Sequence, residues 1–210
     1  MAKGKKESNK LYAHVVLDRS GSMSSCATDT VGGYNAYVDG LPKDAKVSLT
    51  TFDSVSIDLV RDAVAPLAGK IAPEEFVPRG STPLLDAVGR TIADATIRSR
   101  GFDRVALVVL TDGLENASRE FTRDKIASVL KEKQEKDGWL VVYLGANQDA
   151  WAVGQTFGMV AGNSMSYDTK NMSAALASVG AATARYTAAE NAQVGRMRAS
   201  FTAGERFRAK

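Results

Sequence analysis

Aspartate, serine and threonine residues occur at three points of the chain where an apolar segment has just ended or a helical pattern begins. The first group is Asp18-Arg19-Ser20-Gly21-Ser22, which directly follows an apolar run. The second contains Thr82, and the third contains Asp112. Carboxylate and hydroxyl oxygens are the ligands that a hard divalent cation such as Mg²⁺ prefers. These residue types therefore indicate a divalent-cation site, provided that the fold brings the three segments together.

The hydrophobic pattern predicts an α/β fold that can do this. Strands are predicted at 12–18, 45–53, 56–60, 104–111 and 139–144, with a short final strand within 159–167. Helices are predicted at 31–41, from Pro83 onwards, and at 122–136, 149–157 and 171–191. Such alternation implies a Rossmann-like, doubly wound, mostly parallel sheet with one antiparallel edge strand, flanked by helices. In these sheets ligands bind outside the carboxyl ends of the strands, where Asp18 and Asp112 fall.

Taken together, the polar segments resemble a known motif. Asp-x-Ser-x-Ser at 18–22, Thr82 in Gly-Ser-Thr and Asp112 in Thr-Asp-Gly are similar to the metal-ion-dependent adhesion site (MIDAS) of von Willebrand factor A (vWA) domains. The resemblance extends over residues 11–187 and implies the vWA fold. Small intracellular bacterial and phage-type members are the most similar, judged from the segments 111–116 and 144–149.

The resemblance also implies a role for each site residue. Ser20 and Ser22 are expected to bind the cation through their hydroxyls, and Thr82 directly or through a water. Asp18 and Asp112 are expected to act mainly through waters and hydrogen bonds that orient those hydroxyls. The implied ion is Mg²⁺, or else Mn²⁺ or Ca²⁺. An open coordination position would take a Glu or Asp side chain of a protein partner, which implies an adaptor or scaffold module rather than an enzyme.

Four neighbouring residues are candidate contacts for that partner. Arg19 and Arg79 flank the site in sequence and could steer an acidic surface towards it. Glu115 and Asn116 follow the third segment and could line the metal face. Ordinary solvation explains all four residues equally well. Thr82, for its part, is also suited to cap the helix that starts at Pro83.

The other residues with chemical potential are predicted to be structural. His14 is the only histidine and lies within the first strand, which excludes a histidine-rich zinc site. Cys26 is the only cysteine, so internal disulfides are excluded and a reducing compartment is favoured. Cys26 is expected to pack in the first helix. Trp139 and Trp151 are expected to lie in the core.

Composition limits the class of protein. The chain has 210 residues, of which 44% are hydrophobic and 24% charged, as in one soluble globular domain. No apolar run reaches the roughly 18 residues of a membrane span. The basic N-terminus is not followed by the hydrophobic stretch of a signal peptide. We therefore expect a cytoplasmic protein that does not contact a membrane.

Both ends of the chain are basic, although the net charge is only +3. We expect a vWA domain at 11–191, a disordered tail at 1–10 and a loose tail at 192–210. Basic ends could bind nucleic acid, but they lack the interleaved aromatic residues of common nucleic-acid motifs. Solubilising tails are the simpler explanation.

A second class of function is a Mg²⁺-dependent phosphoryl-transfer or hydrolytic enzyme at the same acidic edge. A phosphatase of the haloacid dehalogenase kind needs a second Asp two positions after the first, where this chain has Ser20. The Gly-x-x-x-x-Gly-Lys-Ser/Thr phosphate loop is also missing from the sequence. The enzyme therefore remains the alternative to the interaction module.

Overall fold

The computed structural model of the chain describes residues 9–146 and 150–210, apart from the side chains at 150, 151 and 161. Most of the predicted N-terminal tail, residues 147–149 of the motif region and the Trp151 side chain lie outside the described residues. Within the described part, the strands form one sheet. They are β1 (Leu11–Asp18), β2 (Lys46–Phe52), β3 (Ile57–Val64), β4 (Arg104–Thr111), β5 (Leu140–Ala146) and β6 (Ser164–Tyr167).

The sheet confirms the predicted fold class. Its strand order is β3-β2-β1-β4-β5-β6, and every neighbouring pair is parallel except β2 and β3. The order reverses between β1 and β4, which is the switch point of a doubly wound sheet. There Leu17 pairs with Leu110, so that Asp18 at the end of β1 lies beside Thr111 at the end of β4. The carboxyl ends that carry two of the three polar segments are therefore adjacent.

Helices cover both faces of the sheet. They are α1 (Ala27–Asp39), α2 (Pro66–Gly69), α3 (Leu84–Arg98), α4 (Arg123–Glu135), α5 (Ala150–Thr156), α6 (Met172–Ala188), α7 (Ala192–Arg198) and α8 (Ala203–Arg208). Successive strand residues point to opposite faces. In β1, Val15 and Leu17 accordingly join the core cluster that contains α1 and α6 residues, while Tyr12 and Val16 join the cluster that contains α3 and α4 residues. Burial on two sides explains why β1, β4 and β5 are apolar at almost every position.

Two local predictions are corrected. The edge strand β3 continues to Val64, beyond the predicted end at residue 60, and it pairs with β2 through an irregular register. Helix α3 begins at Leu84 with Pro83 in the capping position, and no side chain caps it. Thr82 is therefore not a helix cap. Its hydroxyl lies beside Gly113, in the loop after β4.

The expectation of a loose tail at 192–210 is wrong. Helices α7 and α8 occupy this segment, and the Phe201 and Ala209 side chains are buried. The Arg206 guanidinium donates hydrogen bonds to the Ser164 and Gly162 carbonyls at 2.7 and 2.8 Å. The basic residues that suggested a solvated tail thus serve partly as donors to the body of the domain, a use that a charge count cannot reveal.

The residues predicted to be structural are buried. Trp139 and Cys26 are each 3% exposed, and Cys26 ends the 3₁₀ turn that leads into α1. The His14 ring nitrogens contact the Tyr12 hydroxyl at 3.2 Å and Thr50 Oγ1 at 2.8 Å. Burial, with a contribution from the Arg98 charge, lowers the pKa of His14 to about 3. Of the helices in the described residues, none has both the length and the apolar character to cross a membrane.

Candidate metal centre

Asp18 is the innermost residue of the site and is fully buried at the end of β1. Its Oδ1 accepts a 2.7 Å hydrogen bond from the Ser20 amide, and its Oδ2 accepts one from the Thr111 hydroxyl. One carboxylate thereby joins the turn after β1 to the end of β4. This anchoring fixes the direction in which the following serines point.

Three oxygens form a chain that joins the turn after β1 to the residue after β4. Ser20 Oγ lies 3.1 Å from Ser22 Oγ, and Ser22 Oγ donates a 2.6 Å hydrogen bond to Asp112 Oδ1. Ser20 is buried, Asp112 is partly buried and Ser22 is exposed. The arrangement therefore has a closed inner side and an accessible outer side.

Thr82 reaches the same point through Gly113. A Cβ added at Gly113 would lie 2.7 Å from Thr82 Oγ1 and 3.6 Å from Asp18 Oδ2. The threonine hydroxyl and the buried carboxylate thus converge on a space that only glycine leaves open. All five predicted ligand residues are brought together by three loops, which follow β1, precede α3 and follow β4.

The donor set and its spacing fit a small hard cation. Six oxygens at about 2.0–2.1 Å from Mg²⁺ place neighbouring ligands about 2.9 Å apart. The two oxygen separations along the chain from Ser20 to Asp112 are 3.1 and 2.6 Å; they are hydrogen-bond distances, and they leave the three oxygens close enough to share one ion of this size. The described residues contain no group of three or more His, Cys, Asp or Glu side chains that could hold a metal. The candidate donors at this edge are hydroxyls and two carboxylates.

The electrostatics of the two carboxylates favour a positive ligand. Burial raises the pKa of Asp18 to about 6, although hydrogen bonds from Thr111 and Ser20 oppose the rise, and the charge of Asp112 adds to it. Burial also raises the pKa of Asp112, while the Ser22 hydroxyl opposes that rise. Burial therefore disfavours the charged form of each carboxylate. A nearby cation would favour the charged forms and lower both pKa values.

Arg19 and Arg79 are held by a carboxylate that the sequence reasoning missed. Asp53, the residue after β2, accepts hydrogen bonds at Oδ2 from Arg19 Nε at 2.9 Å and Arg79 Nε at 3.0 Å. The Arg19 carbonyl also accepts a 2.9 Å bond from the Arg79 amide. The Arg19 side chain is only 11% exposed, against 47% for Arg79. Arg19 is therefore placed to join loops rather than to meet a partner.

Asn116 and Glu115 are also engaged within the fold. Asn116 Oδ1 accepts a 2.9 Å hydrogen bond from the Thr82 amide, and the Asn116 amide donates to the Thr82 carbonyl at 3.2 Å. Glu115 Oε2 accepts the Leu85 amide in the first turn of α3 at 2.9 Å. A partner contact at Asn116 would compete with the bonds that position Thr82, and one at Glu115 would compete with its bond to the first turn of α3.

Asp86 completes the attachment of the loop after β4. Its carboxylate accepts hydrogen bonds from the backbone amides of three consecutive residues, at 2.8, 2.9 and 2.9 Å, namely Arg119, Glu120 and Phe121. The sequence carried a signal for only one of the two missed carboxylates, since Asp53 lies in the turn after β2 and its Oδ1 accepts the Val55 and Ser56 amides. The amides that Asp86 binds are 33 to 35 positions away, so no local pattern indicated them.

Solved structures share this architecture. The vWF domain of the type V pili tip protein Mfa5 from Porphyromonas gingivalis superposes with a TM-score of 0.67 at 9% identity, covering 84% of this chain and 95% of that chain. A von Willebrand factor type A structure from Catenulispora acidiphila gives 0.62 at 13% identity, covering 85% of this chain and 43% of that one. This chain has the vWA fold.

A third structure with the vWA fold carries a metal. Proximal thread matrix protein 1 from the mussel byssus, with its MIDAS motif occupied by zinc, gives a TM-score of 0.61 at 13% identity, covering 80% of this chain and 46% of that chain. This chain therefore spans about half the length of the mussel protein. No protein-family model and no curated protein matches the sequence. At these identities the likeness concerns the fold alone.

Proposed function

We propose that the chain is a divalent-cation-dependent protein-interaction module that works by binding rather than by turnover. The observation that carries the proposal is the convergence of Ser20, Ser22, Thr82 and two carboxylates from three loops, with spacings that suit a small hard cation. The fold relatives support it, since a mussel protein with the same fold holds a divalent metal in its MIDAS motif. Mg²⁺ is the ion of choice, with Mn²⁺ and Ca²⁺ as substitutes.

Each residue has a distinct part in this proposal. Ser20 and Ser22 are direct ligands, and Thr82 is a ligand directly or through water. Asp18 and Asp112 balance the charge of the cation and orient the serines. Asp18 already accepts a bond from the Ser20 amide, and Asp112 accepts one from the Ser22 hydroxyl. When bound, the cation supplies an electrophilic position that can take a carboxylate oxygen from outside the chain. The exposure of Ser22 leaves that outer side accessible to a partner's Glu or Asp.

The proposal includes a cytoplasmic location and a place among the small intracellular bacterial and phage-type members of the vWA group. Cys26 supports the location, because a free cysteine suits a reducing compartment. The motif residues at 111–116 support the second part. Fractionation of the native host, with a periplasmic and a cytoplasmic marker, would test the location.

Metal binding is the first test of the proposed function. Isothermal titration with MgCl₂ and MnCl₂ should show one site in the wild type, and Asp112→Asn should weaken it by about 10–100-fold. Asp29→Asn is the matched control, since Asp29 is an exposed aspartate on α1. Equal affinities in the wild type and Asp112→Asn would contradict the site.

Partner chemistry is the second test. Short glycine-serine peptides with one central Asp should bind the full chain in MgCl₂ and lose binding in excess EDTA, whereas the matched Asn peptide should not bind in either buffer. Binding of the Asp peptide that persists in EDTA would refute the cation-dependent mode. Turnover of a generic phosphate ester that disappears in Asp18→Ala would favour the enzyme instead.

A further inference from the structure

A polar groove of about 570 Å³ opens beside Thr82, on the same edge of the sheet as the candidate metal centre. One wall is the turn between β2 and β3, residues 53–57, and the other is the segment 116–120 of the loop after β4. Ser81 and Pro83 lie between the walls. The volume is within the range of roughly 300–1,000 Å³ that ligand sites occupy.

Both walls of the groove are hydrogen-bonded to the loop that carries Thr82. Asn116, at the start of one wall, is hydrogen-bonded to Thr82 through both backbone and side chain. Ser54 Oγ, on the opposite wall, accepts a 2.9 Å hydrogen bond from the Ser81 amide, next to Thr82. Ser81 and Pro83, the two neighbours of Thr82, line the groove, so a chain segment bound at Thr82 would lie next to it.

The charged side chains along the groove are engaged within the fold, with one exception. The Asp86 carboxylate is engaged by the backbone amides of residues 119–121. Arg90 pairs with Glu120, and Arg79 pairs with Asp53. Arg119 is exposed and forms no ion pair with any residue in the described ranges 9–146 and 150–210.

The backbone of Arg119 is nevertheless held firmly, because its amide donates a 2.8 Å hydrogen bond to Asp86 Oδ2. The groove wall thus presents a free guanidinium on a fixed base. Such a group suits a carboxylate, with which it can form two parallel hydrogen bonds.

We propose that this groove binds an extended peptide segment of the partner that supplies the metal-bound carboxylate, and that Arg119 binds a second acidic side chain of that segment. The inference rests on the proposed function and adds a rule about the partner's sequence. In an extended peptide, residues on one face recur every second position, about 6.8 Å apart. Two acids on the same face are therefore two or four positions apart, and we expect the second acid at one of these spacings.

The test uses nine-residue glycine-serine peptides with blocked ends, titrated into the full chain in saturating MgCl₂ and followed by amide NMR. One peptide carries a single central Asp. The others carry a second Asp one, two, three or four positions to either side. We expect spacings of two or four, on one side, to bind about tenfold more tightly than the single-Asp peptide, as a charge-assisted contact allows. Spacings of one and three place the second acid on the opposite face and should give much less.

Arg119→Gln should abolish the gain from the second Asp and leave single-Asp binding unchanged. Arg100→Gln is the matched control, because Arg100 is an exposed arginine outside the groove. A gain that survives in Arg119→Gln, or that is equal at every spacing, would overturn the groove assignment while the cation-dependent function stands. Failure of every Asp peptide to bind in MgCl₂ would instead overturn the proposed function and the groove together.

Discussion

Thr82 and Asn116 hold each other through two hydrogen bonds across 34 positions of sequence, Thr82 N to Asn116 Oδ1 at 2.9 Å and Asn116 N to Thr82 O at 3.2 Å. The pair joins the loop before α3 to the loop after β4. Thr82 is buried at 3% exposure, and the two bonds fix the backbone from which its hydroxyl projects. Asn116 is therefore a positioning residue for the candidate metal centre.

Asn116→Ala should weaken Mg²⁺ binding by about tenfold, because Thr82 loses the acceptor that orients its backbone. Asn116→Asp keeps an acceptor oxygen at the same place and should restore most of the affinity. Titration calorimetry measures both, and thermal unfolding in EDTA shows whether the fold is intact. An affinity that is equally low in the Asp and Ala variants would contradict the positioning role.

Gly113→Ala adds only one methyl group but should strongly weaken Mg²⁺ binding. The added Cβ would lie 2.7 Å from Thr82 Oγ1, so the threonine or the loop after β4 must move. We expect Mg²⁺ affinity to fall by at least about tenfold. Gly32→Ala is the control, since no atom lies within 4 Å of the added Cβ there. That control should stabilise α1 by up to about 1 kcal/mol and leave metal binding unchanged. Unchanged affinity in Gly113→Ala would contradict the convergence on Gly113.

His14 should make the stability of the metal-free protein fall as the pH falls. Its folded pKa of about 3 lies below the ordinary value of 6.5, so the unfolded chain binds a proton first. Stability from His14 is complete above about pH 6.5 and is lost towards pH 3, at up to about 1.4 kcal/mol per pH unit. Asp18 acts in the opposite sense, because its raised folded pKa of about 6 costs stability as the pH rises through that value.

Urea unfolding of the wild type and His14→Asn in EDTA, from pH 4 to 7, separates the two effects. Both proteins contain Asp18, so the difference between their free energies of unfolding reports His14 alone. That difference should shift steadily against the wild type as the pH decreases. A difference that is independent of pH would show that His14 is not held neutral by the fold.

The segment α7–α8 should contribute to the stability of the domain. Arg185 pairs with Glu205 at 2.8 Å, and the Glu205 side chain is only 5% exposed. Arg185→Ala leaves that carboxylate buried without its ion pair and should lower the free energy of unfolding by about 1–3 kcal/mol. Arg100→Ala, at an exposed position, should change it by less than about 0.5 kcal/mol. Equal stability of the two variants in urea unfolding would contradict the packing of this segment.

Local patterns in the sequence were sufficient for the fold class and for predicting that Asp18 and Asp112 meet at one edge of the sheet. The pattern of β1 is that of a strand buried on both faces; Asp18 ends it and Ser20 lies two positions further on, so residue type and place coincide within a few positions. The same is true of Asp112 after β4. Short-range periodicity decides whether a segment is a strand or a helix, and the carboxyl ends of parallel strands share one edge.

Only the tertiary structure decided what the neighbouring charged residues do. Arg19 and Arg79 are predicted partner contacts by sequence, but in the structure both donate hydrogen bonds to Asp53, 34 and 26 positions away. In the same way, Arg119 has no ion pair among the described residues because its neighbour Glu120 pairs with Arg90, 30 positions away. The sequence by itself thus determined the sheet and the polar side chains that its carboxyl edge presents. It could not determine which charges are neutralised, because ion pairing depends on strand order and loop contacts between segments that no local pattern connects.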